Sequence, residues 1–178
     1  MSSSIKKIIF VVSGLAVAAA IFAFTQSNIA TAAKKNGKKF GQWTVSCNVA
    51  DKKTNTPEIC TLTHQVVVER DGKKQPFAFF QIGYFGDKKE LKLIQKLPMG
   101  VGIEAGTSII SSKKLIAPGK YVTCLSDGCQ AVANISDSDL KVLLATKENT
   151  LVFMSIDGQQ IAAPFPVDGL AKGLKYIK

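Results

Sequence analysis

The sequence predicts a mainly β protein, an antiparallel β-sandwich or partly open barrel of about eight strands with one or two short helices in its C-terminal half. Apolar and polar residues alternate with a period of two along most of the chain after residue 40, which is the pattern of half-buried strands. Turn signals such as Asp71-Gly72 and Asp157-Gly158 separate these segments at short intervals. Helical spacing of apolar residues appears only after residue 135.

The predicted strands follow from this alternation. In residues 60–69 the even positions carry Cys, Leu, His and two Val, while the odd positions are mainly polar, so one face is buried and the other meets solvent. Residues 76–84 are apolar on both faces, which is typical of a central strand. In chain order, the predicted strands cover residues 43–47, 60–69, 76–84, 91–97, 107–111, 129–135, 151–156 and 160–167.

A first helix is predicted to begin after Ser136. The Ser136 hydroxyl suits an N-cap, and Asp139 three residues later supplies the acidic half of a capping box. Leu140, Leu143 and Leu144 follow at the i, i+3, i+4 spacing that forms one apolar stripe on a helix.

A second helix of one or two turns is predicted from residue 170. Leu170, Ala171 and Leu174 lie on one side of it, while Lys172 and Lys175 face away. The side with the two leucines is expected to be buried, and the lysines are expected to meet solvent.

The first residues have the order of a secretory signal peptide. Lys6 and Lys7 form a basic start, residues 8–24 are an uncharged apolar run, and Ala30-Thr31-Ala32 offers a small-residue cleavage site. The alternative is an uncleaved membrane anchor, since this run lies at the lower edge of the length that spans a bilayer. An exported protein is therefore predicted, with a signal peptide over residues 1–32, a basic linker over 33–39 and a single disulfide-bonded β domain over 40–178.

All four cysteines follow the predicted signal peptide. An even number of cysteines in an exported chain is typical of disulfides. Three pairings are possible, and the local one, Cys47 with Cys60 and Cys124 with Cys129, is the simplest. A zinc site is the alternative, but paired C-x2-C spacing is missing and His64 is the only histidine.

Five segments form a recognisable series: Gly41–Cys47, Cys60–Leu62, Leu97–Val101, Cys124–Ala131 and Asp168–Leu174. They resemble five features of the invasion-associated locus B family of bacterial envelope proteins. In the same order, these features are the opening Trp strand with its cysteine, the second cysteine, the Leu-Pro-x-Gly-Val bend, the C-x3-G-C-x-A element and the last helix. The C-x3-G-C-x-A element is the most specific of these segments. The resemblance spans residues 40–177.

The resemblance implies a small, β-rich, disulfide-bonded exported protein, associated with invasion of or adherence to host cells by alphaproteobacteria. It implies no catalytic centre, and only the cysteines carry over as functional residues. Leu170, Gly173 and Ser111 stand where the family usually has Phe, Ala and Asp. The functional prediction is an invasion-associated factor that acts by binding. The alternative is a periplasmic envelope-maintenance protein that binds envelope components or other exported proteins.

Composition leaves few residues for catalysis or for a cofactor. His64 shares a strand face with Leu62 and Val66, so it is predicted to be a packed histidine rather than a general base or a metal ligand. Nucleophilic catalysis needs a base beside the nucleophile, and four bridged cysteines with one histidine leave no such pair. No enzyme activity, metal or cofactor is predicted.

Lysine doublets recur along a chain whose formal net charge is +10. They either solvate the surface and protect sheet edges, or form a face for anionic partners such as host-cell glycans, lipid headgroups or envelope components. Lys88, Lys89 and Lys92 are the first candidates for such a cluster. Nucleic acid is not predicted as a partner, because an exported chain with a single arginine lacks the usual stacking and base-reading residues. Membrane contact is expected only through the N-terminal segment, if it is not cleaved.

Overall fold

The computed structural model describes residues 35–50, 53 and 57–178, and the predicted signal peptide over residues 1–32 lies outside them. A short 3-10 turn covers Ile103–Ala105. The strands and helices are β1 (Lys39–Phe40), β2 (Trp43–Cys47), β3 (Cys60–Arg70), β4 (Lys73–Phe85), β5 (Glu90–Leu97), β6 (Thr107–Ser111), β7 (Lys114–Leu125), β8 (Gly128–Asn134), α1 (Asp137–Ala145), β9 (Asn149–Met154), β10 (Gln160–Phe165) and α2 (Leu170–Ile177).

The ten strands of the described chain lie in one antiparallel sheet, in the order β1-β2-β3-β4-β5-β8-β7-β6-β9-β10. The first five strands follow the chain as a meander, and the later five form a second unit in which β8 pairs with β5. We call this β5–β8 ladder, residues 92–97 against 129–134, the seam. The prediction of a mainly β antiparallel fold with short helices in its C-terminal half is confirmed.

The sheet is open but curls, so that strands far apart in its order come into contact. The ring of Trp43 on β2 lies 5.6 Å from the ring of Phe165 on β10, between centroids. Phe165 in turn lies 5.1 Å from the ring of Phe80 on β4. All three side chains are buried. They form the centre of the core, where removal of apolar area from water stabilises the fold.

Two strands were not predicted from the alternation, β1 and β7. In β7 the consecutive residues Ile116 and Ala117 are both buried, and the backbone of Ala117 has a φ of 49°. The β7–β8 register also shifts between Tyr121 and Thr123. Irregularities of this kind turn neighbouring side chains to the same face, so β7 does not alternate although it pairs on both sides.

The first predicted helix is confirmed as α1, with the predicted cap. The Asp139 N–H donates to Ser136 Oγ at 3.1 Å, and the Ser136 hydroxyl donates to the Asp139 carboxylate at 2.8 Å. Leu143 is fully buried, and Leu140 and Leu144 are half-buried. The predicted leucine stripe therefore packs into the hydrophobic core.

Helix α2 confirms the second predicted helix but corrects its buried face. Leu170 and Leu174 are buried, whereas Ala171 is exposed and Gly173 is buried in its place. A Cβ at Gly173 would lie 2.6 Å from Leu62 Cδ1. Because Leu62 is itself fully buried, the missing side chain at Gly173 allows the helix to approach β3 closely.

Two disulfides join directly opposed residues on neighbouring strands. Cys47 is bonded to Cys60 across β2 and β3, and Cys124 is bonded to Cys129 across β7 and β8. These are the local bridges among the three possible pairings. No free cysteine is present in the described residues.

The segment before β2 is held against that strand. The Gly37 N–H donates to the Val45 carbonyl at 2.8 Å, and the Val45 N–H donates to the Lys38 carbonyl at 2.8 Å. Asn36 Oδ1 accepts from the Cys47 N–H at 3.1 Å. The described part of the predicted linker therefore continues the sheet at its edge.

Candidate binding surfaces

Of the three lysines predicted to bind an anionic partner, two lie together and one is engaged elsewhere. Lys88 and Lys89 occupy the turn between β4 and β5, and both are exposed. Lys92 is half-buried on β5, where its Nζ lies 3.1 Å from Glu90 Oε2. The turn thus presents Lys88 and Lys89 as a pair, while Glu90 partly neutralises the charge of Lys92.

An open groove of about 1020 Å³ lies beside this turn, and we call it the turn groove. Tyr84 and Leu91 supply apolar surface to it. The charged residues that line it are Lys35, Lys88, Lys89 and Lys178 with Glu58, Asp87, Glu90 and Asp137. An anionic ligand in this groove would be oriented by charges of both signs and not only attracted.

A second group of lysines, the α2 lysine surface, consists of Lys38, Lys172, Lys175 and Lys178. Lys172 and Lys175 are exposed on the outer side of α2. Lys38 Nζ lies 4.6 Å from the ring centroid of Tyr176, a cation–π distance. The sequence does not predict that these lysines lie together, because Lys38 is brought to the helix by the pairing of β1 with β2. The i, i+3 spacing of Lys172 and Lys175 was its one local signal.

A smaller groove of about 470 Å³, the bend groove, opens where β4 and β5 part. The β4–β5 ladder ends at Phe79 and Lys96, and beyond this pair Phe77 and Pro98 line the groove. At its rim Lys96 Nζ forms an ion pair with Asp127 Oδ2. This groove is not predicted from the sequence, because its position depends on where β4 and β5 stop pairing.

The Lys96–Asp127 pair leads to a pH prediction. The hydrogen bond from Lys96 lowers the pKa of the Asp127 carboxyl below its ordinary value. A lowered folded-state pKa favours the folded state above the pKa of the unfolded chain, and this contribution is lost as the pH falls through the folded-state pKa. NMR titration of the carboxyl carbon should therefore give Asp127 a lower pKa than in a Lys96→Met variant. Equal pKa values in the two proteins would contradict the pairing.

His64 lies among aromatic residues. Its Nδ1 lies 2.8 Å from the Gln42 carbonyl oxygen, and its ring lies 5.7 Å from that of Trp43 and 6.4 Å from that of Phe80. These contacts assign His64 to packing between β2 and β4. In the part of the chain that the structure describes, no group of three or more His, Cys, Asp or Glu side chains is placed to bind a metal ion.

The family described as invasion associated locus B (IalB) protein matches residues 43–178 of the chain. The chain belongs to this family. Its fold is similar to that of invasion associated protein B from Bartonella henselae, a crystal structure with 13% sequence identity and a TM-score of 0.66 that covers 79% of this chain and 92% of that one. No curated protein matches the sequence significantly.

Two of the segments that carry the family resemblance, Leu97–Val101 and Cys124–Ala131, meet in the structure. Gly128, in the C-x3-G-C element, has a φ of 131°, and a Cβ there would collide with the carbonyl oxygen of Leu97 in the bend. Only glycine adopts this backbone conformation readily and leaves room for the Leu97 carbonyl oxygen, because it has no Cβ. The hairpin closed by Cys124 and Cys129 therefore rests directly on the bend.

Family membership and two disulfides are consistent with an exported protein. Neither helix of the described chain has the length and apolar character needed to cross a membrane.

Proposed function

We propose that this IalB family member is an exported, non-catalytic factor that promotes adherence to, or invasion of, host cells by binding. Membership in the family carries this proposal. The similar protein from Bartonella henselae is itself named an invasion associated protein. Two disulfides suit an oxidising compartment outside the cytoplasm.

The proposed partner is an anionic component of the host-cell surface or of the bacterial envelope. Without the predicted signal peptide, the chain has 21 Lys and Arg against 13 Asp and Glu, a formal net charge of +8 that favours such partners. Lys178 both lines the turn groove and lies 5.7 Å from the Tyr84 ring, so the groove and the α2 lysine surface are continuous. Lys88 and Lys89 line the same groove at the β4–β5 turn, together with its acidic residues.

Replacing both turn lysines should weaken binding to vesicles that contain phosphatidylserine. Each lysine near an anionic membrane contributes about 1 kcal/mol, so the Lys88→Gln/Lys89→Gln variant should bind roughly 30-fold more weakly at low ionic strength. Wild-type binding should also fall as salt is added, because screening shortens the reach of the charges. Vesicle co-sedimentation at several salt concentrations measures both effects.

The Lys73→Gln/Lys74→Gln variant is the matched control. Both of its lysines are exposed and lie at the β3–β4 turn, at the other end of the 13-residue strand β4. It has the same change in net charge, and its binding should stay close to that of the wild type. Equal losses in the two variants would show that net charge alone acts, and would count against a site at the β4–β5 turn.

The location of the protein decides whether it can reach a host cell. Protease treatment of intact bacteria should cleave it, or it should be present in the culture supernatant. Protection until the outer membrane is permeabilised would confine it to the periplasm. That result would overturn direct host binding and favour the envelope-maintenance function, with envelope defects expected in a deletion strain grown without host cells.

A further inference from the structure

The interior of the sheet contains polar side chains with no hydrogen-bond partner among the described residues. Gln95 is 0% exposed, and neither Nε2 nor Oε1 of its amide is partnered. The Thr107 hydroxyl is buried and unpartnered as well, and so is the Tyr121 hydroxyl. A buried polar group without a partner lowers the stability of the folded state, so four such atoms together would be a large fraction of the stability of a domain.

The strand register brings these three residues to one place on the inner face. Gln95 pairs with Ala131, which in turn pairs with Tyr121. In the next row Ala133 pairs with Gly119, which pairs with Thr107. Between the three polar side chains the inner face is therefore made of two alanines and a glycine.

Gly119 marks the point where Gln95 Nε2 and Thr107 Oγ1 converge. A Cβ added to Gly119 would lie 3.4 Å from Gln95 Nε2 and would collide with Thr107 Oγ1. The amide and the hydroxyl thus approach the same small volume from β5 and β6. Ala133 borders it as well, since its Cβ would lie 3.5 Å from the added atom.

The chemistry of the three side chains limits what can satisfy them. The Gln95 amide offers both donors and an acceptor, and each hydroxyl can donate and accept. Burial raises the pKa of Tyr121 to about 12, so its hydroxyl keeps its proton at neutral pH. An anion would satisfy only the donors and a cation only the acceptors, whereas water satisfies both. Buried waters typically make about three hydrogen bonds to groups of this kind.

We propose that Gln95, Thr107 and Tyr121 form an internal water site at the seam, in which at least one ordered water molecule bridges the Gln95 amide to the Thr107 hydroxyl. Gln95 belongs to β5 in the first meander, and Thr107 belongs to β6 in the second unit. The bridge spans the intervening strands β8 and β7. This water bridge connects the two halves of the sheet at a place where Ala131, Ala133 and Gly119 are too small for side chains to interdigitate.

The first test counts long-lived water in the purified, disulfide-bonded protein by 17O magnetic relaxation dispersion. The Gln95→Met/Thr107→Val variant preserves side-chain size and removes the polar atoms. The dispersion amplitude of this variant should be lower than that of the wild type by the contribution of at least one long-lived water molecule. An amplitude equal to that of the wild type would overturn the proposal.

The matched control is Gln130→Met/Thr123→Val. Gln130 and Thr123 are paired residues on β8 and β7, and both are at least partly accessible to solvent. This variant changes the same residue types and should leave the amplitude unchanged. A loss equal to that of the interior variant would overturn the assignment to Gln95 and Thr107.

A second measurement needs no variant and serves if the interior substitutions prevent folding. Cross-peaks between water and the Gln95 side-chain amide protons should have opposite signs in NOE and ROE spectra, which identifies a water molecule that stays bound. Exchange-type cross-peaks only, or none, would show that the Gln95 amide is dry and would overturn the proposal.

Discussion

Replacing Trp43 with Ala is expected to lower the free energy of unfolding by about 3–5 kcal/mol, the usual cost of removing a large buried aromatic side chain. Trp43 is 0% exposed and contacts the Phe165 ring across the curl of the sheet. Its indole N–H donates to the Pro166 carbonyl at 3.1 Å, so the substitution also leaves that carbonyl without its donor. Urea unfolding followed by far-UV circular dichroism measures the change, because Trp43 is the only tryptophan and fluorescence would lose its reporter.

Two further variants separate the contributions at this position. Trp43→Phe keeps an aromatic ring in the core and loses the hydrogen bond, so it should cost less than Trp43→Ala. Ile156 is 81% exposed, and Ile156→Ala should change stability by less than about 0.5 kcal/mol. A loss at Trp43 no larger than that at Ile156 would contradict the position of Trp43 at the centre of the core.

Most of the fold follows from local pattern. Alternation predicts which face of a strand is buried, and Leu91, Leu93 and Leu97 on β5 are buried as expected. Capping chemistry places the start of α1 at Ser136. Strands β1 and β7 are not predicted, because their side chains show no alternation. In β7 the backbone is irregular, and β1 has only two residues, which are too few to show a period.

The order of the strands does not follow from local pattern. Alternation assigns each residue to a face but does not identify the neighbouring strand. The pairing of β5 with β8 leaves out two intervening strands of the chain, and the contact between Trp43 and Phe165 joins residues far apart in sequence. Such contacts depend on the packing of the whole core.

The same distinction applies to the candidate sites. Lys88 and Lys89 are neighbours in sequence, so a turn signal is enough to place them together on the surface. The α2 lysine surface and the internal water site of Gln95, Thr107 and Tyr121 each join residues from separate strands or helices. Alternation does put Gln95 on the buried face of β5, between Leu93 and Leu97, but a single glutamine in a strand gives no sign of the partners that the register brings to it.

Removal of the Cys47–Cys60 disulfide is the second substitution with a large expected effect. The bridge closes a loop with a sequence separation of 13, and the Cys124–Cys129 bridge closes one of 5. Loop-closure entropy in the unfolded chain predicts a loss of about 3 kcal/mol for Cys47→Ala/Cys60→Ala and about 2 kcal/mol for Cys124→Ala/Cys129→Ala. Urea unfolding of both variants under non-reducing conditions should give losses in this order.

A reducing agent provides the internal control for this order. Reduction should destabilise the wild type by more than it destabilises either double variant, and it should leave the stability of the fourfold Cys→Ala variant unchanged. A larger loss of stability for Cys124→Ala/Cys129→Ala than for Cys47→Ala/Cys60→Ala would mean that contacts in the folded state outweigh loop closure. The Cys124–Cys129 hairpin would then stabilise the protein mainly through its position on the Leu97–Val101 bend. That outcome has a structural basis, because Gly128 lies against the Leu97 carbonyl and loss of the hairpin would uncover the end of β5. The comparison therefore distinguishes a bridge that acts on the unfolded chain from one that holds the hairpin against the bend.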